Sequence, residues 1–160
     1  MTAKHSAGVI PFRRGTAGIV EVLLVHPGGP FWKNKDARAW SIPKGELASE
    51  EDALTAARRE FSEETGFALD GEFIALAPVR QRGGKTVHAF AIEADIDVTA
   101  VHSNTFSIEW PPKSGQTQAF PEIDRAAWFA LDAALEKIHA GQVPLLQQLR
   151  VLVRDADSPG

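Results

Sequence analysis

The 160 residues hold 17 Lys and Arg against 21 Asp and Glu, a formal net charge of −4, and are 44% hydrophobic and 24% charged. This suits one globular domain with a sizeable core, and nothing in the acidic balance points to an electrostatic grip on nucleic acid or an anionic membrane. The absence of cysteine removes disulfides, thiolate metal sites and a cysteine nucleophile.

No apolar run approaches the ~20 residues of a membrane span, and MTAKHSAG lacks a signal-peptide core. The expectation is a soluble, cytoplasmic protein. Ser6–Phe12 is small and apolar and ends at Arg13, Arg14 and Gly15, which predicts a short strand and a turn. Val20–His26, VEVLLVH, predicts a strand buried on both faces. Pro27, Gly28, Gly29 and Pro30 then break the chain into a loop carrying Phe31, Trp32, Lys33, Lys35, Arg38 and Trp40. Rings between cations are what a nucleotide pocket needs, one to stack on a base and the other to meet phosphates. Phe31 and Trp32, flanked by breakers, are read as ligand contacts. Trp40, beside Ile42, belongs to the core as readily as to the pocket.

Ser49 predicts a helix N-cap, with Asp52 three residues on as a variant capping box. Ala53, Leu54, Ala57 and Phe61 recur at helical spacing and predict the face that packs on a sheet. Gly66 suits the left-handed position that ends a helix. Glu60, Glu63 and Glu64 stand at i, i+3 and i+4, so their carboxylates are neighbours at the edge of that face, over a cleft. Like charges at this spacing cost a few tenths of a kcal/mol per pair. Arg59 reaches Glu63 at i+4, but one cation does not neutralise three carboxylates. A divalent ion would, since Mg²⁺ takes a few carboxylates together with phosphate oxygens and water. The alternative is a solvated acidic helix face.

Glu72–Gln81 and Thr86–Ala94 predict two strands joined by a hairpin turn at RGGK. Ser103–Gly115, with Phe106, Trp110, Pro111 and Pro112, predicts an irregular segment near the substrate. PEIDRAAWFAL then gives a loop, a short strand at Ala126–Phe129 and a helix from Asp132 to Ala140 ended by Gly141. Pro144–Val153 predicts a final helix, and Asp155–Gly160 a frayed tail after one domain spanning 1–154. None of the five histidines has metal-ligand spacing with another, and His26 and His88 are read as structural. No Gly-x-x-x-x-Gly-Lys-[Ser/Thr] loop is present, which excludes a P-loop enzyme on motif. Pattern alone supports an α/β or α+β domain.

Gly45, Glu51, Arg59, Glu60, Phe61, Glu63, Glu64, Gly66 and Phe67 spell G-x5-E-x7-R-E-U-x-E-E-x-G-U, where U is bulky and apolar. The chain resembles the Nudix hydrolases at every fixed position, departing mildly at Phe61, where an aliphatic residue is more usual. The run WSIPKG, Trp40 to Gly45, is similar to the branch of diadenosine tetraphosphate hydrolases. GGPFWKNKDARAW is similar to a bacterial subgroup of predicted pyrophosphohydrolases.

The resemblance implies an α/β Nudix fold, a mixed β-sheet sandwiched between helices. It implies metal-dependent hydrolysis of a phosphoanhydride in a nucleoside diphosphate-linked substrate, with a dinucleoside polyphosphate favoured. Glu60, Glu63 and Glu64, aided by the carbonyl near Gly45, would hold Mg²⁺ or Mn²⁺, and Arg59 and Glu51 would orient the glutamates. Glu122, six residues before Trp128, resembles the later glutamate that joins the metal site or polarises water in that branch. Glu60, Glu63 and Glu122 are all candidates for the base, and Lys44, Arg80 and Lys85 for phosphate binding. The expected partner is a small nucleotide or polyphosphate, not nucleic acid or a membrane, with the protein a monomer or homodimer. Two other readings remain open: a sanitising pyrophosphohydrolase for oxidised or noncanonical nucleoside triphosphates, and a non-catalytic nucleotide-sensing module.

Overall fold

The computed structural model describes residues 4–81 and 83–157, without the side chains of 155–157. In chain order the strands are β1 (His5–Arg14), β2 (Val20–Pro27), β3 (Lys44–Glu46), β4 (Ile74–Ala75), β5 (Val79–Arg80), β6 (Thr86–Glu93), β7 (Thr105–Glu109), β8 (Thr117–Pro121) and β9 (Ile123–Ala130). Helix α1 (Ala53–Thr65) follows β3, while α2 (Leu131–Lys137) and α3 (Val143–Asp157) close the chain.

Strand β1 is buried from Ser6 to Phe12 and sits mid-sheet, parallel to β6 from His5↔Thr86 to Phe12↔Glu93. Its other edge is divided. Phe12–Arg14 pair antiparallel with β2, whereas Ser6–Gly8 pair antiparallel with β3. A Cβ on Gly8 would lie 2.5 Å from the Pro43 carbonyl oxygen and 2.7 Å from Lys44 Cβ, so only glycine lets β3 press this close. Strand β9 continues the sheet beyond β2, and β4 and β5 flank β6 to complete seven strands. β7 and β8 form a separate antiparallel hairpin.

Side chains alternate between the two faces along each strand. Ala7, Val9, Leu23, Val25 and Ile92 pack on Ala56, Ala57 and Phe61 of α1. Ile10, Phe12, Val22, Leu24, Val87, Ala89 and Ala91 pack on Ala134 of α2 and Leu145, Leu146 and Leu149 of α3. The sheet is thus mixed and sandwiched between helices.

Several boundaries differ from expectation. Asp52, not Ser49, caps α1, its carboxylate accepting from the Thr55 N–H at 3.2 Å. Ser49 falls in the preceding turn, where Glu50 takes φ +63° and the Glu51 N–H donates to the Ala48 carbonyl at 3.1 Å. Ala56 and Thr65 join Ala57 and Phe61 on the buried face. At about 100° per residue, Glu60 and Glu64 therefore fall inside the buried arc rather than at its edge, with Glu63 just outside.

Glu72–Gln81 gives two short strands because the Ala77 N–H turns away to the Gln148 side chain at 2.7 Å and Pro78 follows. The segment expected to be irregular after Ser103 is the β7–β8 hairpin. Its half-buried Phe106 and Ile108 alternate with exposed neighbours, a period of two that the tip residues Pro111, Pro112 and Gly115 obscure. Strand β9 starts at Ile123 rather than Ala126. Helix α2 ends at Lys137, before Gly141, because buried Ile138 is extended (φ −75°, ψ 149°) and bridges to Trp40. Helix α3 continues through Asp157, while Ser158–Gly160 of the expected frayed tail lie outside the described residues. Among the described residues no helix is long and apolar enough to cross a membrane.

Candidate active site

Helix α1 lies against β3, and Gly45 decides how closely. A Cβ there would stand 2.0–2.4 Å from the carboxylate atoms of Glu60, so that carboxylate rests directly on the glycine backbone. Arg59 is shared among three acids. It grips Glu51 bidentately, Nε to Oε2 and Nη2 to Oε1 at 2.9 Å each, and donates from Nη1 to Glu60 at 2.9 Å and Glu63 at 3.3 Å. A further bond from Nη2 to the Glu46 carbonyl at 3.1 Å ties the helix to the end of β3. Arg59 and the Ala48 N–H together hold the Glu51 carboxyl down to about 2.

Glu64 has no such partner. Its Oε2 is buried and makes no hydrogen bond. Burial, followed by the charge of Glu60, pushes its carboxyl up to about 8, and the Lys44 backbone N–H offsets only part of this. Burial likewise raises Glu60, with the Arg59 hydrogen bond opposing, and burial lowers the Lys44 ammonium.

Glu122 stands between β8 and β9 and faces the same place. A cleft of about 200 Å³ is lined by Val25, Pro27, Ser41, Ile42, Lys44, Glu64, Glu122 and Ile123, and the Glu122 charge contributes to the rise at both Glu60 and Glu64. Backbone bonds fix its position. The Asn104 N–H donates to the Glu63 carbonyl at 3.0 Å, the Glu122 N–H to the Asn104 carbonyl at 2.8 Å, and the Gly28 N–H to the Glu122 carbonyl at 2.9 Å. Beside them the buried hydroxyl of Ser103 accepts from the Ile123 N–H at 3.1 Å.

The cleft continues outward past Pro27, Ser41 and Lys44 into a second arm of about 210 Å³ that adds Trp32, Arg38, Ala39, Trp40, Gln81, His139 and Gln142. Trp32 is 38% and Phe31 62% exposed. Phe31 meets Trp110 edge-on at 5.5 Å, and Lys35 lies over the Trp32 ring at 5.1 Å. Buried His26 anchors this loop, its Nε2 facing the Lys35 carbonyl at 2.7 Å and its Nδ1 facing Asp124 at 2.9 Å. Trp40 is only 3% exposed and lines the arm from within the core. Phe129 and His26 pack edge-to-face with its ring, Arg125 lies over it, and its Nε1 donates to Asp36 at 2.9 Å. It is a wall of the arm with no free face for a base.

Among the cations, Lys44 lines both arms. Lys85 stands 3.9 Å from Glu46, and exposed Arg80 lines neither arm. Gln81, His139, Gln142 and Ser103 were missed, because long-range packing delivers them without any local motif. His88, read as structural, stacks on His5 of the neighbouring strand at 5.2 Å between ring centres, its Nε2 2.9 Å from His5 Nδ1.

The NUDIX domain model matches residues 3–149. The chain belongs to the Nudix family. It is thereby a Nudix pyrophosphohydrolase, and the mixed sheet between helices is the Nudix fold. Solved structures share that fold at low identity. The NUDIX domain of Shewanella oneidensis NrtR, complexed with ADP ribose, is 16% identical with a TM-score of 0.66, over 96% of this chain and 90% of that one. A C. elegans Ap4A hydrolase is 21% identical with a TM-score of 0.59, over 94% and 98%. A mutT/nudix family protein from Listeria innocua is 18% identical with a TM-score of 0.66, over 98% of each. No curated protein matches the chain.

Nudix hydrolases use a divalent metal ion. Among the described residues no three His, Cys, Asp or Glu side chains converge closely enough to form a ready cage. A small hard cation does not need one, since Mg²⁺ keeps several waters and takes one or two carboxylates plus substrate phosphate oxygens. The buried, unpartnered Oε2 of Glu64 and the Glu60 carboxylate seated on Gly45 are hard oxygen donors of that kind. The residues fit the ion.

Proposed function

We propose that this Nudix hydrolase cleaves a phosphoanhydride bond in a nucleotide polyphosphate, with a dinucleoside polyphosphate as the favoured substrate and Mg²⁺ or Mn²⁺ as cofactor. The observation that carries the reading is the buried, unpartnered carboxylate oxygen of Glu64 in a cleft shared with Glu122 and Lys44. An uncompensated buried acid is costly, and a cation with its phosphate ligand removes the cost. Glu60, Glu63, Glu64 and the Gly45 carbonyl would hold the ion, with Glu122 completing the set or serving as base. A divalent ion bound there supplies charge neutralisation on nonbridging oxygens and lowers the pKa of bound water.

The chain's own residues supply the rest. Arg59 and Glu51 fix the rotamers of Glu60 and Glu63, so the donors do not reorganise when substrate arrives. Glu122, exposed and across the cleft, accepts the proton of the attacking water. Lys44 meets a phosphate oxygen where the arms join, and Trp32 and Phe31 offer rings to a base. A panel of dinucleoside polyphosphates, nucleoside triphosphates, sugar nucleotides and inositol pyrophosphates tests this, with Mg²⁺ or Mn²⁺ and products resolved by chromatography. Metal-dependent release of a nucleotide from the first group is expected. Undiminished turnover in excess chelator would refute the reading.

A further inference from the structure

The two arms of the cleft differ in chemistry. The inner arm holds the carboxylates of Glu64 and Glu122. Among the described residues lining the outer arm there is no carboxylate, and Arg38, Lys44, Gln81 and His139 line it together with Trp32.

These donors are set by the fold before any ligand arrives. Arg38 stands at φ +62°, with its Nη1 donating to the Leu135 carbonyl at 2.5 Å and the Ile138 carbonyl at 3.4 Å. That leaves its Nε and Nη2 for a ligand. His139 accepts the Gly141 N–H on Nδ1 at 3.1 Å, so the neutral ring carries its proton on Nε2 and is a donor there. A Cβ on Gly141 would stand 3.3 Å from both Gln81 Nε2 and His139 Cε1, so the glycine lets those two side chains meet at one point. Buried Gln142 holds the wall between the arms, its Oε1 accepting from the Ile42 N–H at 3.0 Å and its Nε2 donating to Ser41 Oγ at 3.0 Å. Positive charge and oriented N–H donors with no acid among them fit an anion.

We infer that the outer arm is a subsite for a phosphate beyond the pair joined by the scissile bond, with Arg38 and His139 as the residues that set this specificity. The enzyme therefore selects chains of three or more phosphates over diphosphates that join two uncharged groups. The inference rests on the proposed hydrolase reading.

The test compares a dinucleoside tetraphosphate with the dinucleoside diphosphate of the same nucleoside. Wild type should favour the tetraphosphate by about tenfold or more in kcat/KM, the worth of one charge-assisted hydrogen bond. His139→Asn keeps an oxygen for the Gly141 N–H but removes the cleft donor, and Arg38→Gln removes the charge. Each should raise KM for the tetraphosphate about tenfold and leave the diphosphate unchanged. His139→Asn also guards against loss of fold in Arg38→Gln, where an anchor of α2 is cut. A wild-type ratio near one, or equal losses on both substrates, overturns the subsite.

Calorimetric titration with inorganic tripolyphosphate separates this from the activity itself. Binding that weakens in both variants while no substrate is cleaved upholds the subsite and sinks the hydrolase reading. Binding indifferent to both variants sinks the subsite even where hydrolysis is normal.

Discussion

Glu64→Gln in metal-free protein isolates the cost of the buried acid. Burial and the charge of Glu60 raise the Glu64 carboxyl from 4.5 to about 8 in the folded chain, so between those values the native state holds a proton that the unfolded state has released. Stability falls with pH wherever the native state binds more protons. The contribution is therefore intact below the unfolded value and is lost as pH rises toward the folded one. A full proton held only by the native state is worth about 1.4 kcal/mol for every pH unit, so wild type in chelator should lose about 3 kcal/mol from this group between pH 5 and pH 8. For a chain of this length that corresponds to a fall in Tm of about 10 °C.

Gln has the same shape and does not ionise, so Glu64→Gln should lack this component. Urea unfolding of both proteins at pH 5 and pH 8 in chelator measures the difference, and Mg²⁺ should then restore stability at pH 8 to wild type alone. Parallel pH profiles for the two proteins would refute the assignment of Glu64 as the buried, uncompensated acid.

Glu122→Gln should lower kcat strongly with KM nearly unchanged, the pattern of an interaction made mainly in the transition state; a rate within about twofold of wild type on the best panel substrate would return the base to Glu60 or Glu63. Ser103→Ala strands the Ile123 N–H beside Glu122, so it should cost about 1–3 kcal/mol in urea unfolding and reduce kcat, while Ser103→Thr, which keeps the hydroxyl, should recover both. Replacing Phe31 and Trp32 together by Ala should raise KM for nucleotides, with stacking worth about 1–3 kcal/mol per base; an unchanged KM with a large fall in Tm would assign these rings to packing instead.

The candidate donors were legible because they are local. Glu60, Glu63, Glu64 and Arg59 share one helix, and helical spacing brings them together whatever surrounds them. The strands β1, β2 and β6 were legible for the same reason, as apolar runs long enough to be buried. How deep each glutamate lies was not, since that depends on Ala56 and Thr65 meeting a sheet built from other parts of the chain. Trp32, Arg38 and Lys44 of the outer arm were legible in the loop and the motif that carry them, but its opposite side was not. Gln81 follows β5 and His139 precedes the turn into α3, and only the packing of α2 and α3 on the sheet sets them side by side. The β7–β8 hairpin was hidden by its own tip, whose prolines and glycine read as irregular chain although the flanking residues alternate.

The bonds that hold Glu122 run from Glu63 through Asn104 to Gly28 and use main-chain atoms alone. They all lie at the root of the β7–β8 hairpin, and none comes from its outer half. The side chain at position 104 is therefore free to drift, and residues 110–116 can be lengthened, shortened or exchanged without shifting the acid at 122. The tip meets the aromatic loop through Trp110 and Phe31, so loops grafted there would reach the proposed base-binding rings from a mount that is already aligned, which makes the hairpin a natural place to change what the enzyme accepts.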